Sequence, residues 1–137
     1  MSAEQAIYRA WTGYKPLADL IPAERVFVGQ RPGGGVDFPY VVFMRTAETE
    51  QRTSSNTIKT ATIVMTVQHN NYDDALAILR KAESYFDRGI LTYPGGKVLD
   101  MRPQTGRQAK SPDGTWTLQI DWKVITAEAK VAYPVGA

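Results

Sequence analysis

The chain has 137 residues, of which 43% are hydrophobic and 22% charged, with a formal charge of +2 and no cysteine. This is the length of one domain, with apolar material for a single core, and the balance argues against disorder. The missing thiol excludes disulfides, thiolate zinc sites and cysteine nucleophiles, the small charge gives no argument for nucleic-acid binding, and no apolar run approaches the ~20 residues of a spanning helix.

Met1-Ser2-Ala3-Glu4-Gln5 has no basic stretch leading into an apolar one, so no signal peptide is read and synthesis is expected in the cytoplasm. Ser2 and Gln5 have the form of a capping box, and Ala3, Ile7, Ala10, Trp11 and Tyr14 follow at helical spacing, with Gly13 as the stop. A short second turn is expected over 16–21, between Pro16 and Pro22. Residues 25–28 read as a short strand and 29–38, with Gly33, Gly34 and Gly35, as a loop. Residues 40–44 are a continuous apolar run, the pattern of a strand buried on both faces.

Residues 47–57 are polar throughout and read as a long loop or as the far end of a projecting hairpin. Strand character resumes near Ile58, where Ala61, Ile63, Met65 and Val67 alternate with Thr60, Thr62, Val64 and Thr66. Asn70 and Asn71 suit a helix cap, and Tyr72, Ala75, Leu76, Leu79, Ala82 and Phe86 form one apolar stripe, with Asp73 and Asp74 at its start, Arg88 near its end and Gly89 closing it. Pro94-Gly95-Gly96 is a turn, 97–102 a strand, and Ser111-Pro112-Asp113-Gly114 has the sequence of a type I turn. Trp116, Leu118, Ile120, Trp122 and Val124 then alternate with polar residues in the clearest strand of the chain, and the segment 127–137 is expected to fray. Residues 1–137 are thus read as one α+β domain, a mostly antiparallel sheet of about four to five strands with two helices packed on one face.

Little in this pattern serves chemistry. The one histidine, His69, stands at a strand end beside a helix cap and lacks the nucleophile and orienting acid of a catalytic set. The glycines at 33–35 lead into a strand, whereas a phosphate cradle needs a lysine and a hydroxyl residue opening a helix. Glu48 with Glu50, and Glu83 with Asp87, share parity or a helix face without converging on a site. No catalytic residue, metal ligand or cofactor is therefore assigned. The basic residues fall in two groups, Arg45, Arg52 and Lys59, and Arg102, Arg107 and Lys110. Such groups could meet phosphate, but Trp116 and Trp122, which would supply base stacking, lie on the face assigned to the core. Solvated charges or inter-subunit salt bridges are favoured, and a nucleic-acid-binding module is the alternative.

One stretch carries a resemblance: Arg25-Val26-Phe27-Val28, a Gly/Pro-rich loop, then Phe38-Pro39-Tyr40-Val41-Val42-Phe43. With the Ile7-Tyr8 helix, the Tyr72-Asp73-Asp74-Ala75 helix start and the closing strand around Trp122, it resembles the tail-terminator or tail-completion proteins of long-tailed phages, from about residue 6 to 126. The polar segment 47–57 departs from that pattern. The resemblance implies a small α+β subunit that assembles into a ring, typically a hexamer, caps the finished tail tube and offers the head–tail joining surface. It implies no catalytic residues. The partners would be further copies, the tail tube protein and a head-completion or connector protein, with no membrane. DNA would pass without specific binding, and the place would be the tail or neck of a virion, another neck or minor tail protein being the nearest alternative. Contacts with neighbours are expected on segments 29–38, 47–57 and 103–115, with Gly33, Gly34, Gly35, Arg45, Arg52, Lys59, Arg102, Arg107 and Lys110 as candidate interface residues.

Overall fold

The computed structural model describes residues 3–30, 32, 37–52, 56–89 and 91–129. Helix α1, Ala3–Gly13, buries Ala3, Ala6, Ile7 and Trp11. It stops at the glycine that the sequence marks; Ser2 of the expected capping box lies outside the described residues. A four-residue helix, α2 (Lys15–Ala18), follows with proline in its first turn, and Leu17 plugs into the core. The Trp11 indole Nε1 donates to the Ile21 carbonyl at 3.1 Å, which ties the exit of this turn back to α1. A single 3-10 turn, Ala23–Arg25, leads into strand β1, Val26–Val28.

The remaining elements are β2 (Tyr40–Arg52), β3 (Asn56–His69), α3 (Tyr72–Phe86), β4 (Leu91–Tyr93), β5 (Gly96–Lys110) and β6 (Trp116–Ala129). They form one mixed sheet in the order β1-β2-β3-β6-β5-β4. The expected count of four to five strands and two helices is corrected to six strands and three helices among the described residues. β4 escapes sequence reading because three residues cannot show alternation. The antiparallel description holds for four of the pairings. It fails for β1, which runs parallel to β2 with Val26 opposite Val41. Eleven residues, 29–39, join the two strands, too many for a tight hairpin turn, and the Phe38–Pro39 peptide in this link is cis.

Segment 47–57 takes one of its two expected forms, and 103–115, expected as a loop, is largely strand. β2 continues to Arg52 and β3 begins at Asn56, so 47–57 is the far end of a hairpin, the second of the two sequence alternatives; residues 53–55 lie outside the described set. β5, expected over 97–102, runs on to Lys110, so most of 103–115 is ladder; Pro103 and Gly106 bracket a β-bulge instead of ending the strand. β6 likewise stays paired to Ala129, and 130–137 lie outside the described residues. A turn forms at 111–114 as expected, with the Gly114 amide donating to the Ser111 carbonyl at 2.9 Å.

α1, α2 and α3 pack one face of the sheet. Val41, Phe43, Ile63, Met65, Val67, Leu118, Ile120, Trp122 and Val124 point into the core, as their parity predicts, and Ile78 joins the α3 stripe. Trp11, Phe43, Phe86 and Trp122 meet in its centre at ring-centroid distances of 5.9 to 6.3 Å. Each such side chain, fully buried, contributes about 2–3 kcal/mol, which places the stability of the domain in this helix-facing layer. The end of α3 differs from expectation in one detail. The residue with positive φ is Arg88, at 57°, and Gly89 follows it.

Candidate interaction surfaces

Three surfaces of the sheet are left for function: its far end beyond the helices, its outward face, and its edges. At the far end the helix-side parity of β2, β3 and β6 continues past the apolar rows. Glu48, Lys59 and Glu128 therefore stand where core residues would be. Lys59 Nζ lies 3.6 Å from Glu48 and 3.3 Å from Glu128. Arg45 bridges Glu48 at 3.1 Å and Glu4 of α1, and Tyr93 of β4 donates its hydroxyl to Glu128 at 3.0 Å. Five charges of alternating sign and one phenol thus lock α1, β2, β3, β4 and β6 together where the apolar core ends. These side chains are half-buried, so the pairs are screened less than fully exposed ones. Burial, the hydrogen bond to Glu128 and its charge push the Tyr93 phenol from 10.0 up to about 12.

The outward face carries a polar ladder between β3 and β6. Gln119 Nε2 donates to Thr66 at 3.1 Å, and Thr117 Oγ1 to Gln68 at 2.9 Å. A groove of about 460 Å³ opens here, with Tyr40, Val42, Met44, Val64 and Arg107 in its walls. Val42 is only 6% exposed although it faces away from the helices, so this face is concave. Aromatic rings border it at the β1 edge, where Tyr40 lies against Phe27 and Phe38. Phe38 is 39% exposed.

The candidate residues separate on this frame. Gly33, Gly34 and Gly35 lie outside the described residues. Arg45 and Lys59 meet in the network above and are strand residues. Arg52 is at the hairpin end, beside Glu50 at 3.6 Å. Arg102 pairs with Asp100 at 2.7 Å. Arg107 makes a two-point bridge to Asp121 at 2.7 and 2.9 Å, which holds its guanidinium above the usual range. Lys110 lies 5.5 Å over the Trp116 ring. The two basic groups therefore do not merge into one patch, and each arginine among them already faces a carboxylate. His69 serves its own turn: the Asn71 amide donates to Nδ1 at 3.1 Å. Sequence reasoning missed the acidic halves of the pairs: Glu4, Glu128 and Asp121 are distant in sequence from Arg45, Lys59 and Arg107 and come beside them only in the fold, while Glu48, Glu50 and Asp100 are near their arginines but stand in segments whose strand pairing the sequence did not show.

No protein-family model and no curated protein matches the sequence. Among solved structures, the fold is similar to that of a chain in the virion of a native gene transfer agent particle, with a TM-score of 0.76 at 12% sequence identity. The likeness covers 90% of this chain and 93% of that one. At this identity it is a likeness of fold.

Proposed function

We propose that the chain is a structural subunit of a phage-like particle that caps the completed tail tube as a closed ring of identical copies and offers the head–tail joining surface. The observation that carries this is the whole-chain fold likeness to a virion component. The sequence resemblance to tail terminators points the same way and supplies the finer role. The partners are then further copies, the tail tube protein and a connector or head-completion protein, and the place is the tail or neck of a virion. In this reading the protein acts by docking and not by catalysis, which suits a histidine engaged in its own turn and arginines paired within the chain.

What the fold leaves open supports this reading. Closure by rotation needs a heterologous contact, in which two different surfaces of one subunit are complementary. A mixed sheet that ends in two different edge strands provides two such surfaces. Size-exclusion chromatography with light scattering across concentration, followed by negative-stain imaging, tests the proposal. Rings of the purified protein, or rings formed on added tail tubes, are the expected result. A protein that stays monomeric at its highest soluble concentration and also fails to bind tail tubes would sink it.

A further inference from the structure

The two edges of the sheet stand level with each other. Val26 pairs with Val41, Val41 with Val67, Val67 with Leu118, and Leu118 with Gln108. The next row runs from Phe27 through Val42, Thr66 and Gln119 to Arg107, and the third from Val28 through Phe43, Met65 and Ile120 to Gly106. The three residues of β1 therefore lie at the height of residues 106–108 of β5. Among the described residues no strand lies outside either stretch, since β4 covers β5 only from Gly96 to Val98.

Strand polarity also agrees. β1 is parallel to β2, and three antiparallel steps separate β2 from β5, so β1 and β5 run in opposite directions. A second copy set beside the first in the same orientation brings its 106–108 stretch antiparallel to β1. Pro103 and the bulge up to Gly106 blunt the edge before this stretch, which leaves residues 106–110 of β5 for pairing.

Each of the two edges is flanked by a groove. Beside β1, the wall is α1 with Tyr8 and Arg9. Beside β5, it is α3 with Leu76, Leu79, the exposed Arg80 and Glu83. Arg9 is exposed, Glu83 is partly so, and among the described residues neither has an ion pair within the chain.

We infer that β1 and α1 of one copy dock against residues 106–108 of β5 and against α3 of a second copy, with Arg9 facing Glu83. Edges that are level in register favour a contact that repeats about an axis without climbing. Such a contact closes into a ring, whereas one with a rise would build a filament. The inference rests on the ring-forming subunit proposed above and names its contact.

Charge reversal tests it. Arg9→Glu and Glu83→Arg each put like charges across the contact and are expected to raise the concentration for half-assembly about tenfold. The double variant Arg9→Glu/Glu83→Arg restores opposite charges and should return it to the wild-type range. Because the chain has no cysteine, Arg9→Cys/Glu83→Cys under oxidation should give a ladder of covalent oligomers, while either single cysteine stops at dimers. Wild-type rings with unchanged assembly in both charge variants, or with no ladder, would overturn this contact and leave the ring proposal standing. A wild-type chain that forms no ring, alone or on tail tubes, would overturn both.

Discussion

Gly96 is fixed by the side chain that folds back over it. Pro94 and Gly95 make the β4–β5 turn, Gly95 taking the φ of 89° that suits glycine, and Tyr93 is laid against its pairing partner Gly96. A Cβ at Gly96 would meet three atoms of the Tyr93 side chain at 2.7 Å. The ring is 7% exposed and its hydroxyl is held by Glu128, so it cannot swing aside freely. Gly96→Ala should therefore destabilise the domain by about 1–3 kcal/mol, read from urea denaturation midpoints. The same tyrosine gives a pH signature. Its phenol titrates at about 12 in the folded chain against 10.0 in the open one, so the folded state holds the proton longer. The stability it contributes is fully present below the lower value and is lost as pH rises through the upper one. Tyr93→Phe should remove that loss, leaving a flatter stability profile between those two pH values, measured against wild type.

At the scale of elements, α3 shows how local chemistry and tertiary burial share the work. The Asn71 side chain accepts from the Asp74 amide at 3.0 Å and satisfies an otherwise open donor, while Asp73 and Asp74 meet the positive end of the helix dipole. Asn71→Ala should cost about 1 kcal/mol in equilibrium unfolding. Both the cap and the stripe are legible in the sequence, because a fifteen-residue amphipathic run shows its period several times over. β6 is legible for the same reason, with Trp116 to Val124 alternating without a break. The elements that escape are those whose evidence lies elsewhere in the chain. β4 is too short to show a period. The distal half of β2 is polar on both faces and is a strand because β3 pairs with it residue by residue. Pro103 and Gly106 normally punctuate a chain, yet an edge strand tolerates them at a bulge. The parallel placement of β1 is a property of the sheet as a whole and leaves no local trace.

At the scale of the whole molecule, the sequence shows which charged residues stand near functional surfaces but not what they face. Arg45 and Glu4 are 41 residues apart, and Lys59 reaches Glu128 only because β3 and β6 lie side by side. The aromatic border at Phe27, Phe38 and Tyr40 was legible as a string of residues, and its position at a concave face and open edge was not. Register thus turns what look like basic loops into internally balanced strands, and this bears on the alternative of nucleic-acid binding. Affinity for DNA grows with the number of phosphates that cations neutralise, and its salt dependence grows with the same number. Arg45, Arg52, Lys59, Arg102 and Arg107 each already face a carboxylate. A phosphate would have to compete with that partner, which reduces the gain. Binding of a fluorescent duplex, followed by anisotropy as salt is raised, should therefore be weak with a shallow slope. Arg52→Ala and Arg107→Ala should leave it within about twofold of wild type, since neither removes a cation that was free to engage phosphate. A loss of about tenfold in either variant, with a steep slope in the wild type, would mean that phosphate outcompetes Glu50 or Asp121 for that guanidinium, and the surface that carries it would then be a nucleic-acid surface.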